Sequence, residues 1–392
     1  MGTKRKLSPK ISEIVSGCQT GPFLDAFAGM SSVGSVIGPS REIWTNDLQA
    51  FSNLVSAALF CSSDWPPSRQ RARGDILEIF TKNFIALAGA HGNQLEQEAR
   101  AVASRDHVKL RELFEAAAAA TEFGSRQTNS AYDLFTKRYA CLYFSTAQAI
   151  EIDSVRRAAD HLLEHKQLTG DEHRWLILAL ALAMNRCTTS TGHFAQPLAP
   201  KASNASRVAN QRSRSILLEA LNALDELRPL GSKKWRSANR VYRSSAADLL
   251  SFLAEAETCP AVVYADPPYT DDQYSRYYHL YETLVLYDYP QCAGRGRYRP
   301  DRATSDFCLP SRVHIAFDAL IRAASETGSD LVISYPESGL MINSRAELTT
   351  MIQRHYGKEP QVINICHSHS TMGGSKGPAS AQVIESIYKV AA

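Results

Sequence analysis

Three textures of apolar and polar residues succeed one another along the chain. In residues 21–55, short apolar runs alternate with glycine-bearing turns. Phe23-Leu24-Asp25-Ala26-Phe27 precedes a turn bracketed by Gly29 and Gly34, and Glu42-Ile43-Trp44-Thr45-Asn46 ends at Asp47. Runs of this length bounded by Gly and Pro predict strand, turn, helix and strand, the start of a βαβ unit. Residues 76–230 are different: alanine-rich segments with a 3.6-residue period, Leu110–Ala120, Ser154–His165 and Glu172–Met184, predict helices with few strands between them. From Val241 the first texture returns, with Ala261–Tyr264 and Leu331–Tyr335 as buried strands and Gln361–Cys366 and Val383–Tyr388 after them. Strands alternating with helices predict a mostly parallel sheet covered on both faces. The expected division is therefore a discontinuous α/β domain, 1–75 and 240–392, interrupted by a helical domain, 76–239.

Composition changes this picture little. The 392 residues are 44% apolar and 21% charged, as in an ordinary globular protein. The longest apolar run, Trp175–Met184, falls short of the roughly 18 residues a membrane span needs. No apolar run follows the basic N-terminus, so no secretory signal and a cytoplasmic setting are expected. The eight cysteines are scattered singly, without a CxxC pair, which fits a reducing compartment and speaks against a zinc ribbon. Cys366, His367 and His369 are close, but a strand turns neighbours to opposite faces, so no metal site is expected there.

Net charge is only +3, and its distribution says more than its total. Between Lys201 and Arg243 ten Lys/Arg stand against three acids, and Arg295, Arg297, Arg299 and Arg302 form a second basic run. Stripes of one sign suit phosphate binding; a solvated surface is the plainer alternative.

The residues that carry chemistry follow a strand. Val262-Val263-Tyr264-Ala265 delivers Asp266-Pro267-Pro268-Tyr269 at its C-terminal end, where open α/β sheets bind ligands. Neither proline has an N–H, and each fixes φ, so the Pro267 carbonyl is held out for a substrate donor. Asp266 offers a second acceptor and Tyr269 a stacking face. Two acceptors beside a ring suit the exocyclic amine of a base, although the tetrapeptide is also acceptable turn chemistry. The Asp25–Gly34 turn, with Asp47 downstream, lets backbone approach a ligand and offers an acid for ribose hydroxyls. A dinucleotide site has similar features, and so does a plain strand–helix turn.

The chain resembles the α-group DNA adenine N6-methyltransferases, the Dam-like family. It is most similar to a subgroup whose catalytic motif runs on into Tyr274-Ser275-Arg276-Tyr277-Tyr278-His279. Gly2-Thr3-Lys4-Arg5-Lys6-Leu7 resembles the family's opening, Asp25 to Ser31 its cofactor motif, and Thr45-Asn46-Asp47-Leu48 its ribose acid. Asp248 precedes the catalytic motif by 18 residues and matches the acid for the cofactor's adenine edge. Ser31 stands where the family has a second glycine. The resemblance implies a Rossmann-like S-adenosylmethionine-dependent methyltransferase sheet with an inserted helical target-recognition domain. It implies methyl transfer to an adenine flipped out of double-stranded DNA, with Asp266, Pro267, Pro268 and Tyr269 catalytic and no metal. Lys4, Asp25, Phe27, Ala28, Gly29, Met30, Ser31, Asp47, Leu48, Asp248 and Asp266 are the expected cofactor residues. For DNA the expectation is Arg212, Arg214, Lys233, Lys234, Arg236, Arg240, Tyr274, Arg276 and Arg297. A cognate restriction endonuclease, a nucleoid-associated location and a monomer or homodimer complete it. The alternatives are transfer to adenine in RNA or to cytosine N4, a catalytically silent DNA-binding protein on the same scaffold and, more remotely, a dinucleotide oxidoreductase.

Overall fold

In the computed structural model, the structure describes residues 4–62, 69–120, 132–370 and 380–392. The chain forms two compact units, one of Met1–Ser63, Pro229–Ser275 and Ala303–Ala392, the other of Asp64–Arg228 and Arg276–Arg302. The sequence texture had suggested breaks at 75/76 and 239/240 and had assigned 276–302 to the α/β part.

The first unit is built on one seven-stranded sheet. Its strands are β1 (Phe23–Asp25), β2 (Ile43–Asn46), β3 (Arg240–Tyr242), β4 (Val262–Ala265), β5 (Asp330–Pro336), β6 (Gln361–Ser370) and β7 (Ser380–Val390). They lie in the order β3-β2-β1-β4-β5-β7-β6. β1 pairs in parallel with β2 and β4, β2 with β3, and β4 with β5, whereas β7 runs antiparallel to both β5 and β6.

Every residue of β1, β2, β4 and β5 is buried, which explains their continuous apolar runs. The period of two then sorts side chains between the faces. Leu24, Trp44, Val263, Leu331 and Ile333 belong to one apolar cluster with Leu250, Phe317, Leu320 and Ile352, from helices Ala246–Glu255, Val313–Glu326 and Ser344–Tyr356. Their neighbours Phe23, Ile43, Val262, Tyr264 and Val332 pack in the other, against Leu7, Ile11, Ile14 and Val15 of helix Lys4–Ser16. The i, i+4, i+7, i+8 spacing of those four residues is one helix face.

The second unit is helical. Thr146–Glu164 and Gly170–Cys187 each open with a capping box, Ser145 with Gln148 and Thr169 with Glu172, which satisfies donors left over at a helix start. Residues 276–302 belong here because their aromatic side chains pack here: Tyr281 lies 4.7 Å from Phe194, centroid to centroid, and the His279 Nε2 meets the Phe194 carbonyl at 2.8 Å. A motif continuous in sequence thus crosses from one unit to the other at Ser275/Arg276. Among the described residues, no helix is long and apolar enough to cross a membrane.

Candidate active site

The order of strands reverses direction between β1 and β4, so loops leave the sheet on opposite sides there and open a crevice at the strands' C-terminal ends. Asp25 ends β1, Asp47 follows β2, and Asp266 follows β4. In register, Asp25 lies between Thr45 and Tyr264, so neighbouring parallel strands bring the three acids to one edge.

The turn after β1 is built by hydrogen bonds. The Ala26 and Ala28 N–H groups donate to the Tyr264 and Asn46 carbonyls, both at 2.9 Å, and the Ser31 N–H donates to the Ala28 carbonyl at 2.6 Å. Asp47 accepts from the Gly29 N–H through Oδ2 and from the Gln49 N–H through Oδ1, each at 2.9 Å, so it fixes the glycine turn as well as its own loop. Gly29 has φ +49, and a Cβ added there would meet no atom within 4 Å: the turn has open space beside it. Ser31, at φ 58, occupies the left-handed region that glycine adopts without strain. Its buried hydroxyl turns inward to Ser56, at 2.7 Å, so its side chain serves the turn rather than facing a ligand.

Asp25 is only 2% exposed, and its Oδ1 is buried without a hydrogen-bond partner. Burial pushes its carboxyl up to about 8, and the Asp266 and Asp47 charges push the same way. An orphaned acceptor in an acidic crevice is a place for a cation or a polar donor. Phe27 packs edge-on against Phe307 at 5.3 Å, Leu48 follows Asp47 in its loop, and Asp248 is exposed in the first turn of helix Ala246–Glu255, after β3.

Around Asp266 the arrangement is tighter. The Lys4 ammonium lies 2.9 Å from Asp266 Oδ1 and 2.5 Å from Glu385 Oε1, and it also donates to Ser334 Oγ. Burial raises the Asp266 carboxyl to about 6 against the pull of Lys4, with Glu385 adding to the rise. Although burial works against it, the Lys4 ammonium is held above its ordinary value by Asp266 and Glu385. Pro267 is buried, and the Tyr269 carbonyl accepts from the Leu340 N–H at 2.9 Å, which ties the motif loop to the loop after β5. The Tyr269 ring rests on the apolar cluster and meets Tyr274 at 6.4 Å.

Residues 225–336 match the sequence model of the family described as D12 class N6 adenine-specific DNA methyltransferase. This segment is similar to the D12 class. The modification methylase LlaI of Lactococcus lactis subsp. lactis is 22% identical over 345 residues, 87% of this chain and 46% of that protein. The type II methyltransferase M.FokI of Planomicrobium okeanokoites is 27% identical over 215 residues, 55% of this chain and 29% of its own. M.NlaIII of Neisseria lactamica, also a type II methyltransferase, is 27% identical over 199 residues, 51% and 52% of the two chains. The chain thus spans about half the length of these relatives, or less. The Rossmann-like methyltransferase fold expected from the sequence agrees with the D12 match and the seven-stranded sheet.

The D12 segment includes β3, β4, β5 and the Asp266 motif, but the basic residues expected to hold DNA are not all on the surface. Three expectations need correction. Arg212 is buried, its Nη1 2.7 Å from Glu98 Oε1 and its Nη2 donating to the Cys141 carbonyl at 2.8 Å. Arg236 is buried with its Nε on the Ser62 carbonyl and an Nη on the Gly231 carbonyl. Arg297 is buried, donating to the carbonyls of Arg138, Ala117 and Ala120. Each guanidinium satisfies protein oxygens and is turned away from solvent; Arg299, in the same basic run, is likewise buried against Asp288 and Asp301.

The others remain accessible. Lys233 and Lys234 are exposed on the short helix Lys233–Arg236, and exposed Arg240 lies over Trp44 at 4.6 Å. Arg214 is exposed but engaged by Glu219 at 2.6 Å, and half-buried Arg276 lies over the Tyr298 ring at 5.4 Å. Among the described residues no cluster of His, Cys, Asp and Glu is placed to hold a metal. Cys366 is exposed on β6, and the side chains of His367 and His369 lie outside the described residues.

Glu385 and Ser334 were not singled out from the sequence. The available signal was a carboxylate inside the apolar run Val383–Tyr388, since a charge on a buried strand requires a partner.

Proposed function

We propose that this chain transfers a methyl group from S-adenosylmethionine to N6 of adenine in duplex DNA. The observation that carries the reading is Asp266. It leaves a buried strand at the sheet's switch point, with one oxygen held by Lys4, beside the orphaned Asp25 acceptor and the open turn at Gly29.

The residues present fit the cofactor. Asp25, Phe27 to Ser31, Asp47, Leu48 and Asp248 line the ends of the first strands, and the unpartnered Asp25 oxygen suits a group carrying positive charge or an N–H. When bound, S-adenosylmethionine supplies an electrophilic methyl group. The protein then has to present the amine. An adenine inside a duplex is out of reach, so it is flipped out at a cost of a few kcal/mol for unstacking. Tyr269 stacks on the base. Asp266 and the Pro267 carbonyl accept hydrogen bonds from the two N6 hydrogens, which orients the nitrogen lone pair. As the N6–methyl bond forms and the methyl–sulfur bond breaks, the carboxylate stabilises the positive charge developing on N6 and accepts one N6 proton. Rate enhancement comes from positioning and preorganised charge.

Phosphate contacts fall to Lys233, Lys234 and Arg240, with Arg214, Tyr274 and Arg276 as further DNA contacts. The helical unit is the target-recognition element. The relatives' names, modification methylase and type II methyltransferase, support a modification role; a partner restriction endonuclease and a place at the cytoplasmic nucleoid belong to the same proposal. Expression in a methylation-free host and genome-wide mapping of modified bases tests this. N6-methyladenine at one recurring sequence is the expected result. Methylated cytosine, methylated RNA or unmodified nucleic acid would each reject it.

A further inference from the structure

Lys4 is the one cation placed on Asp266 among the described residues, and what holds Lys4 lies on two other strands. Glu385 is on β7 and Ser334 on β5, two positions apart in the register of the antiparallel β5–β7 pair, where Ser334 pairs with Ile387 and Pro336 with Glu385. Both are buried, at 3% and 0% exposure. Ser334 donates to Glu385 Oε1, and that same oxygen takes the Lys4 ammonium at 2.5 Å. A buried carboxylate on an interior strand is costly even when paired, and in Glu385 the pairing orients a side chain. Here it orients a long, flexible side chain that otherwise has four rotatable bonds.

We infer that Glu385 is a positioning residue for Asp266: with Ser334 it pins the Lys4 ammonium on Asp266 Oδ1 and leaves Oδ2 for the amine of the target base. The inference rests on the proposed methyl transfer for its purpose, but not for its geometry. Lys4 has three oxygens around it, from the loop after β4, from β5 and from β7, so its direction is fixed by a tripod rather than by one pair. Asp266 is thereby fixed before any base arrives. Glu385 also sets the local charge. The groups around Asp266 are Lys4 from the N-terminal helix, Asp25 from β1, Tyr264 from β4, Tyr269 in its own loop and Glu385 from β7. Lys4 is the cation of the group and Glu385 draws on it, so the two have opposite effects on the proton affinity of Asp266. Burial holds that affinity up, Lys4 lowers it and Glu385 raises it.

The test is a pair of variants, Glu385→Gln and Lys4→Met, in the full chain. The Asp266 carboxyl is followed by carbon-13 NMR in the ligand-free protein, and methyl transfer is followed over the acid limb of the pH profile. Circular dichroism confirms that each variant is folded; Glu385→Asp serves as the conservative rescue. In Glu385→Gln, the midpoint for Asp266 should fall, by about one pH unit, because Lys4 no longer divides its charge. In Lys4→Met it should rise by a similar amount, as the carboxylate loses its cation. In both, kcat should fall about tenfold or more while KM for DNA changes little, and Glu385→Asp should recover part of the loss. A structural staple would lower thermal stability in both variants and leave the midpoint where it was. An unmoved midpoint, or movement in the same direction in both, overturns the assignment. If the midpoints part as expected but wild type methylates no DNA, the Glu385 linkage stands and the reading of the reaction fails.

Discussion

The C-terminal edge of β1, β2 and β4 and the basic stretch 201–243 are both dense in charge, yet their side chains are used differently. At the strand edge, three acids follow buried parallel strands, and the strand itself dictates where each emerges: Asp25, Asp47 and Asp266 come out side by side at the switch point. In the basic stretch, ten Lys/Arg are close in sequence but their directions are set by packing. Arg212 and Arg236 turn into protein, whereas Lys233, Lys234 and Arg240 face solvent. A short buried strand ties sequence position to place. A count of charges on helices and turns does not, because each residue can face core or water.

The largest effect that sharpens this contrast is on stability. Arg212→Met removes the partner of Glu98, which also accepts from Thr146 N–H and hydroxyl groups, and leaves a buried carboxylate with its cation gone. Denaturant titration should show a loss of about 3–5 kcal/mol, the usual cost of breaking a buried pair. The salt dependence of DNA binding should stay as in wild type. A stable variant with weakened, less salt-sensitive DNA binding would return Arg212 to the DNA surface.

The next effect belongs to the acidic edge. Asp25 binds its proton up to about pH 8 in the fold, because burial and then Asp266 raise it, while the unfolded chain releases it near the ordinary 3.8. The raised group stabilises the ligand-free fold fully below the unfolded value, and that contribution is lost as pH rises towards and through about 8. Cofactor binding goes the other way. If the ionised form faces the cofactor's positive charge, affinity should climb by up to about tenfold per pH unit below the Asp25 midpoint. Calorimetry across pH 6–9 should show this climb and proton release, both absent in Asp25→Asn. Equal affinity across that range would separate Asp25 from the cofactor.

The smallest effect is at the exposed lysines. Replacing Lys233 and Lys234 together by Ala should reduce the log–log salt slope for DNA binding by about 1–2 units, similarly on cognate and random duplexes. Superimposable salt curves would leave that helix as an ordinary solvated surface.

The same contrast explains what was legible in the sequence. β1, β2, β4 and β5 were found within a residue or two because each is a buried apolar run between turn residues. β3 was missed: it has three residues, is half-exposed, and begins with an arginine. Helix Lys4–Ser16 was also missed, since lysines, serines and Pro9 mask the spacing of Leu7, Ile11, Ile14 and Val15. That omission hid the company Lys4 keeps. It was expected near the cofactor, yet the contacts that fix it come from Asp266, Ser334 and Glu385, the last 381 residues away along the chain. Long-range pairing of this kind leaves no local pattern. The break at Ser275/Arg276 was invisible for a related reason, because the motif reads on without a turn signal where the chain passes from sheet unit to helical unit.

The central claim, that Asp266 presents an adenine amine for methylation, is tested most directly by transfer of a labelled methyl group from S-adenosylmethionine to duplex DNA, followed by nucleoside analysis. Wild type should place the label on N6 of deoxyadenosine, and Asp266→Ala should lower turnover by about 100-fold or more, the scale of losing one preorganised polar partner, while duplex binding is retained. Label on another base or on none, or near-wild-type turnover without the Asp266 carboxylate, would contradict it.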